Sequence, residues 1–120
     1  VGVVAELHTA GLAAERLSSE VETTLYRIAQ EALTNVAKHA RARNVAVLLD
    51  RRADHVSLVI EDDGVGFDPA TRTSTRDGSF GLLGMQERAA LVGATLEIES
   101  AVGRGTSIIV RIATPMEPRA

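Results

Sequence analysis

The sequence predicts a single α/β domain built as a two-layer sandwich. Three patterns support this fold class: an amphipathic helix over about 20–40, two β-hairpins over 44–62 and about 96–112, and a short helix over about 82–92. A chain of 120 residues is long enough for one two-layer core and too short for an additional sensor domain. We therefore interpret residues 1–120 as one domain.

Composition excludes several classes of function. Hydrophobic residues make up 45% and charged residues 24%, as in ordinary globular proteins. The net charge of −3 and the aromatic share of 2% argue against direct nucleic-acid binding, which needs basic surface or exposed rings. Without cysteine, disulfides and thiolate metal sites are excluded. No apolar run reaches the roughly 18 residues of a membrane span, so we expect no membrane contact by this domain.

The chain starts at Val1 without an initiator methionine. We interpret it as the cytoplasmic fragment of a longer protein, which is either soluble or membrane-anchored. The β-branched residues of Val1–Thr9 predict a short strand at a sheet edge. The first hairpin turns around Ala53 and Asp54, and the second around Gly103-Arg104-Gly105. Gly93 is predicted to end the short helix.

The long helix carries an apolar stripe beside a polar arc. At about 100° per residue, Glu31, Asn35 and Lys38 lie within an arc of about 60°. That arc borders the predicted buried face, so we interpret the trio as the metal and phosphate edge of a nucleotide site. A solvated helix face with ordinary i,i+4 polar pairs explains the same pattern equally well. The stripe consists of Val21, Leu25, Ile28, Ala29, Ala32, Leu33 and Val36.

A carboxylate is predicted to point inward at the end of the first hairpin. Asp62 continues the inward parity of Leu58 and Ile60. An inward carboxylate needs a hydrogen-bond donor, and the exocyclic amine of adenine is one. Gly64 and Gly66 have no Cβ and would let the backbone approach a flat ring. A polar turn after a strand is the alternative interpretation.

Two further stretches fit the same site. Thr106 shares the inward parity of the last strand and could hold a water between Asp62 and a base, or be only a strand-favouring residue. Gly81-Leu82-Leu83-Gly84-Met85 opens the short helix, where free N–H groups suit phosphates. The segment 67–80, largely polar, is predicted to be a mobile lid.

Together, these stretches resemble the four boxes of the Bergerat nucleotide-binding fold, shared by gyrase, heat-shock chaperones, histidine kinases and mismatch-repair proteins. The resemblance implies a mixed sheet with helices on one face. The boxes are Glu31 through Asn35, Asp62-x-Gly64-x-Gly66, Gly81-x-x-Gly84 and Gly103 through Thr106.

Within that superfamily, YRIAQEALTNVAKHA and GLLGMQERAALVGATLEIESAVGRGTSIIVRI resemble the catalytic domain of sensor histidine kinases of the nitrate-sensor branch. The resemblance implies that ATP and Mg²⁺ are bound, with Asn35 and Glu31 at the metal and Asp62 on adenine. Phe80 is the only aromatic residue near the second glycine box, so a Phe-rich lid motif is missing. The implied catalytic residues are Glu31, Asn35 and Lys38, and the implied ATP-binding residues are Asn35, Lys38, His39, Asp62, Gly64, Gly66, Gly81, Leu82, Gly84, Met85 and Thr106.

The same resemblance implies partners. Such kinases phosphorylate a histidine in their own dimerisation domain and pass the group to a response regulator with a helix-turn-helix output. We expect a homodimeric parent and a monomeric isolated domain. A serine kinase of the anti-sigma-factor type and a non-enzymatic, ATP-gated interaction module on the same fold are the alternatives.

Overall fold

The computed structural model describes residues 4–11, 19–52, 54–66 and 82–113. The predicted segment 67–80 and Gly81 lie outside the described residues, as does Ala53 in the first hairpin. The elements are β1 (Val4–Gly11), α1 (Ser19–Asn35), a π-helical turn (Val36–Ala40), β2 (Asn44–Arg51), β3 (His55–Asp62), α2 (Leu82–Leu91), β4 (Thr95–Ser100) and β5 (Thr106–Ala113).

The strands form one five-stranded mixed sheet in the order β1-β2-β3-β5-β4. Strand β1 runs parallel to β2, and the other three pairings are antiparallel. Both predicted hairpins are present, and β1 lies at an edge as predicted, shifted to Val4–Gly11. The predicted mixed sheet is therefore confirmed.

One face of the sheet packs against both helices. Alternate residues of each strand face this core because side chains alternate sides along a strand. The apolar stripe predicted for α1 is confirmed, and Ile28 is completely buried. Among the residues that the structure describes, the core is aliphatic apart from one methionine: Leu25, Ile28, Ala32, Val36, Val45, Val56, Leu58, Ile60, Met85, Ala89, Ile108, Val110 and Ile112.

The first helix changes geometry at its end. The sequence predicts a helix to about Ala40, but the α-helix ends at Asn35 and a π-helical turn follows. The Thr34 hydroxyl donates to the Gln30 carbonyl oxygen at 2.9 Å, a back-bond that competes with regular helix bonding and often bends helices. Glu31 and Asn35 thus keep their predicted α-helical spacing, whereas Lys38 lies on the wider turn, so the predicted common arc does not extend to it. Such π-turns often occur at functional sites.

The second helix ends as the sequence predicts. Gly93 has a positive φ of 74°, and its N–H donates to the Ala90 carbonyl at 3.1 Å. The next N–H, of Ala94, donates to the Ala89 carbonyl at 2.9 Å. These bonds satisfy carbonyl groups that the end of a helix leaves without partners.

Two turns at one end of the sheet pack backbone against backbone. The turn after β3 contains Gly66, where a Cβ would lie 2.0 Å from the Ala101 carbonyl oxygen. The turn between β4 and β5 contains Gly105, where a Cβ would lie 2.2 Å from the Asp62 carbonyl oxygen. Both glycines also have positive φ. We call the paired turns 62–66 and 101–105 the glycine interlock.

The glycine interlock predicts a large difference between two Gly→Ala substitutions in the same turn. Gly103 and Gly105 both have positive φ, but a Cβ at Gly103 would meet no atom within 4 Å. Gly103→Ala should therefore cost only the left-handed backbone strain of about 1–2 kcal/mol. Gly105→Ala adds a clash with backbone and should cost about 2 kcal/mol more. Urea unfolding of both variants measures this, and equal losses would contradict the packing described.

Candidate nucleotide-binding site

The predicted site residues of β3 and β5 meet at one end of the core face. Asp62 pairs with Thr106 of β5 and with Val45 of β2, and Thr106 also pairs with Ser100 of β4. These four residues form the last cross-strand row of that face. The preceding row is apolar throughout, with Ile60 between Val47 and Ile108. The site therefore begins where the core ends.

Asp62 is held half-buried and partly bonded. Its Oδ1 accepts a hydrogen bond from the Gly64 N–H at 2.8 Å. Burial raises the pKa of Asp62 above the ordinary aspartate value, and the charge of the neighbouring Asp63 adds to the rise. Backbone hydrogen bonds from Gly64 and Thr106 lower the pKa and oppose these two effects. The prediction that Asp62 points inward is confirmed. The ionised carboxylate is destabilised in this position, so a further donor from a ligand would stabilise it.

Ser100 joins Thr106 beside Asp62, a contact that the sequence reasoning missed. The Ser100 and Thr106 hydroxyl oxygens lie 2.8 Å apart, and the Ser100 hydroxyl donates to the Gly105 carbonyl at 2.9 Å. The Ser100 hydroxyl thus orients the Thr106 hydroxyl. The inward parity that Ser100 shares with Ile98 was the available signal.

Asp63 belongs to the predicted base-binding corner 62–66, but the sequence pattern assigns its side chain no separate role. Its Oδ1 accepts the backbone N–H groups of Arg43 and Asn44, each at 2.9 Å, and its Oδ2 accepts from Asn44 Nδ2 at 2.9 Å. These donors lower the pKa of Asp63, with the Asn44 backbone bond the largest cause. The two neighbouring carboxylates therefore differ. The ionised form of Asp62 points inward and is poorly stabilised, whereas that of Asp63 is exposed and well stabilised.

The structure explains the glycine at position 66 differently from the sequence prediction. The sequence suggested that its missing Cβ makes room for a ring, but that position faces the Ala101 carbonyl. Gly66 is needed for the glycine interlock whether or not a ligand is bound. Packing does not require a glycine at position 84, because a Cβ there would meet no atom within 4 Å.

The helix that carries the polar trio leads through its π-turn to the same end of the sheet. The π-turn ends at Ala40, and Asn44 begins β2 directly beside Asp63. Asn35 is partly buried, whereas Glu31 and Lys38 are exposed. The side chain of His39 lies outside what the structure describes.

The oxygen atoms of Asn35 and Glu31 are hard donors of the kind that Mg²⁺ takes. Among the described residues, no group of three or more His, Asp or Glu side chains could form an all-protein metal cage. Magnesium commonly takes one or two protein oxygens and completes its shell with phosphates and water. The residues present therefore fit a magnesium ion that arrives with a nucleotide.

The start of α2 is only partly described. Leu82 begins the helix as predicted, but its side chain and Gly81 lie outside the described part. Met85 is predicted both to face the core and to bind ATP. Its side chain is only 1% exposed, so it packs in the core and is not open to a ligand.

The sheet is mixed, both helices pack on one of its faces, and a half-buried aspartate lies at its end. Residues 20–116 match the family described as Histidine kinase-, DNA gyrase B-, and HSP90-like ATPase. The chain belongs to this family.

Two relatives are sensor kinases by name. The chain is 49% identical over 98 residues to an uncharacterized sensor-like histidine kinase from Chloroflexus aurantiacus, covering 79% of this chain and 16% of that protein. It is 40% identical over 98 residues to the signal transduction histidine-protein kinase/phosphatase DegS from Bacillus subtilis, covering 82% of this chain and 26% of that protein. The chain is therefore homologous to sensor histidine kinases and spans about a quarter or less of these relatives.

A solved structure has the same fold. The chain resembles the histidine kinase domain of the Erythrobacter litoralis EL346 blue-light activated histidine kinase with a TM-score of 0.66. The match covers 91% of this chain and 54% of that one at 20% identity. Separately, none of the helices in the described segments is both long and apolar enough to cross a membrane.

The raised pKa of Asp62 predicts a pH-dependent effect of Asp62→Asn on the ligand-free fold. A raised folded-state pKa means that stability falls as pH rises from the unfolded pKa through the folded pKa. The variant lacks this loss, so its stability relative to the unsubstituted chain should improve from about pH 3 to pH 7. Denaturant titrations across this range test the sign. Glu61→Gln, an exposed neighbour on the opposite sheet face, is the control, and a constant difference for Asp62→Asn would contradict the assignment.

Proposed function

We propose that this chain binds Mg-ATP and transfers the γ-phosphoryl group to a histidine on the dimerisation domain of its own parent kinase. The half-buried Asp62 carboxylate is the observation that carries the proposal. It lies at the open end of the core face, and its ionised form gains most from a donor supplied by a ligand. The exocyclic amine of adenine supplies such a donor.

The rest of the site supports recognition of the base. One Asp62 oxygen is aimed by the Gly64 N–H, and Thr106 lies in the neighbouring position of the sheet row. A site built to accept a hydrogen bond discriminates strongly against a ligand that lacks the donor, because the buried acceptor is then left unpaired. Adenine is therefore favoured over a base that presents a carbonyl at that position.

We assign the ATP phosphates to the side of the site formed by the π-turn and the start of α2, away from the base-binding Asp62. Lys38 and His39 supply cationic or donor groups, and the N-terminal N–H groups of α2 near Gly84 supply further donors. Asn35 would hold the metal ion, and Glu31 would assist at the metal or as a base. Bound Mg²⁺ would neutralise charge on the phosphate oxygens. Most of the rate then comes from positioning the target histidine in line with the γ-phosphate.

The proposed transfer moves one phosphoryl group without redox chemistry. A lone pair on an imidazole nitrogen forms the new bond to phosphorus, and the bond from the γ-phosphorus to the ADP oxygen breaks. The phosphohistidine is then the donor for a response regulator with a helix-turn-helix output. We place the parent as a homodimer of the nitrate-sensor branch, with this domain in the cytoplasm.

Asp62→Asn should weaken ATP binding while the fold is retained. The variant amide keeps an acceptor for Gly64 but presents a donor towards the base, and a mispaired polar group costs about 1–3 kcal/mol. This corresponds to roughly a 5- to 150-fold loss of affinity. Isothermal titration calorimetry at fixed magnesium measures it, with Glu61→Gln as the matched control. Unchanged affinity in Asp62→Asn would reject the adenine assignment.

The 120-residue chain alone should bind Mg-ATP without labelling itself. Two of its three histidines, His8 and His55, lie in strands, and His39 lies in the π-turn next to the proposed phosphate site. Mixed with the dimerisation segment of its parent, the chain should transfer radiolabel from ATP to a histidine, giving an acid-labile and base-stable product. An acid-stable phosphoserine would favour the serine kinase, and nucleotide binding without transfer would favour the interaction module.

A further inference from the structure

We propose that Asp63 is a positioning residue that fixes the base side of the site relative to the phosphate side. The inference rests on the proposed function, because it assigns the two sides from ATP binding. We call the contacts among Asp63, Asn44 and the Arg43 N–H the Asp63 clasp. No group of the clasp is proposed to touch the nucleotide.

The clasp is a dense set of hydrogen bonds on one exposed carboxylate. Three donors from two consecutive residues reach Asp63 at 2.9 Å each, two of them from the backbone of Arg43 and Asn44. In return, the Asp63 N–H donates to the Asn44 carbonyl at 3.2 Å. Hydrogen bonds to a charged acceptor are shorter and stronger than neutral ones. An exposed side chain held in this way is fixed in one orientation.

The clasp lies at the end of the ladder between β2 and β3. On β2 and β3, the last paired residues are Val45 and Asp62, so Asn44 and Asp63 lie just beyond that ladder. Backbone at the end of a ladder opens most readily. The side chain of Asp63 adds two backbone N–H bonds and one amide bond to the single backbone bond between Asp63 and Asn44.

Each partner of the clasp leads directly into one side of the site. Asp63 follows Asp62, the proposed adenine acceptor, and precedes the first glycine of the interlock turn. On the other strand, only residues 41–43 separate Asn44 from the end of the π-turn at Ala40. Within them Arg41 has a left-handed backbone with φ of 52°. It is the only non-glycine residue with positive φ in the described segments.

An arginine with a left-handed backbone is strained, and this conformation persists only when its surroundings hold it. The described bonds that hold the backbone just after Arg41 are those of the clasp. The Asp63 acceptor is ionised at neutral pH, as an ordinary aspartate is, and its hydrogen bonds lower its pKa further. Separation of the base and phosphate sides is thus set through Asp63.

Paired ligands distinguish positioning from a general loss of structure. ATP uses both sides of the site, whereas adenosine uses only the base side. Asp63→Ala should lower ATP affinity by about tenfold, while adenosine affinity falls much less, so the ratio of the two affinities drops. Loss of a carboxylate beside a phosphate site would by charge alone raise ATP affinity, so the expected loss is opposite in sign to that effect.

Conservative and control variants complete the test. Asp63→Asn keeps an oxygen for the two backbone N–H groups. Its new amide nitrogen is a donor, so it bonds Asn44 when the Asn44 amide turns to present Oδ1, and the ATP-to-adenosine ratio should be restored. Asn44→Ala removes one of the three donors and should give a smaller loss. Asp54→Ala, at the opposite end of β3, removes a carboxylate hydrogen-bonded to His55 at 2.7 Å and should leave both affinities unchanged.

Calorimetry for ATP and competition binding for adenosine, on the 120-residue chain with thermal unfolding of every variant, give the readout. Equal losses of ATP and adenosine in Asp63→Ala, or no restoration in a folded Asp63→Asn, would overturn the positioning role alone. Absence of ATP binding by the unsubstituted chain would overturn the proposed function and this inference with it.

Discussion

The glycine interlock is the contact on which the site depends. Two turns from distant parts of the chain approach so closely that a Cβ at Gly66 or Gly105 would overlap a carbonyl oxygen. This approach fixes the end of β3 against the start of β5, which places Asp62 opposite Thr106. Backbone packing of this kind is rigid because neither partner has a rotamer to change. The position of the proposed base-binding carboxylate is therefore set by main chain rather than by side-chain packing.

The adjacent carboxylates of Asp62 and Asp63 have different environments and different proposed roles. Burial leaves Asp62 with a raised pKa, whereas donors from β2 leave Asp63 with a lowered one. The difference follows from strand alternation, since Asp62 ends the inward row and Asp63 lies beyond it. A well-satisfied carboxylate stabilises structure and has little to gain from a ligand. A poorly satisfied one destabilises the empty site and gains most on binding.

The sequence predicted the elements whose pattern is periodic and local. The stripe including Ile28 predicted the buried helix face, and alternation up to Ile60 predicted the inward aspartate. The change to a π-helical turn after Asn35 was missed because Val36–Ala40 is only five residues long, too short for the wider turn to show in the apolar periodicity. The predicted turn at Ala53 and Asp54 already places Asn44 opposite Asp63, but register does not show which side chains bond to the opposite backbone, so the bonds between Asn44 and Asp63 were missed.

The environment of the proposed site follows from register alone. Along the core face, the row containing Ile60 is apolar across β2, β3 and β5, and the next row contains Asp62, Thr106 and Ser100. Along β3, Ile60 is buried and Asp62, two positions further on, is a half-buried carboxylate. A shift of one residue would place the exposed Glu61 inward and send Asp62 to the opposite face. The same alternation that builds an aliphatic core therefore also selects which acidic residue is desolvated, and no separate pocket is needed to tune it.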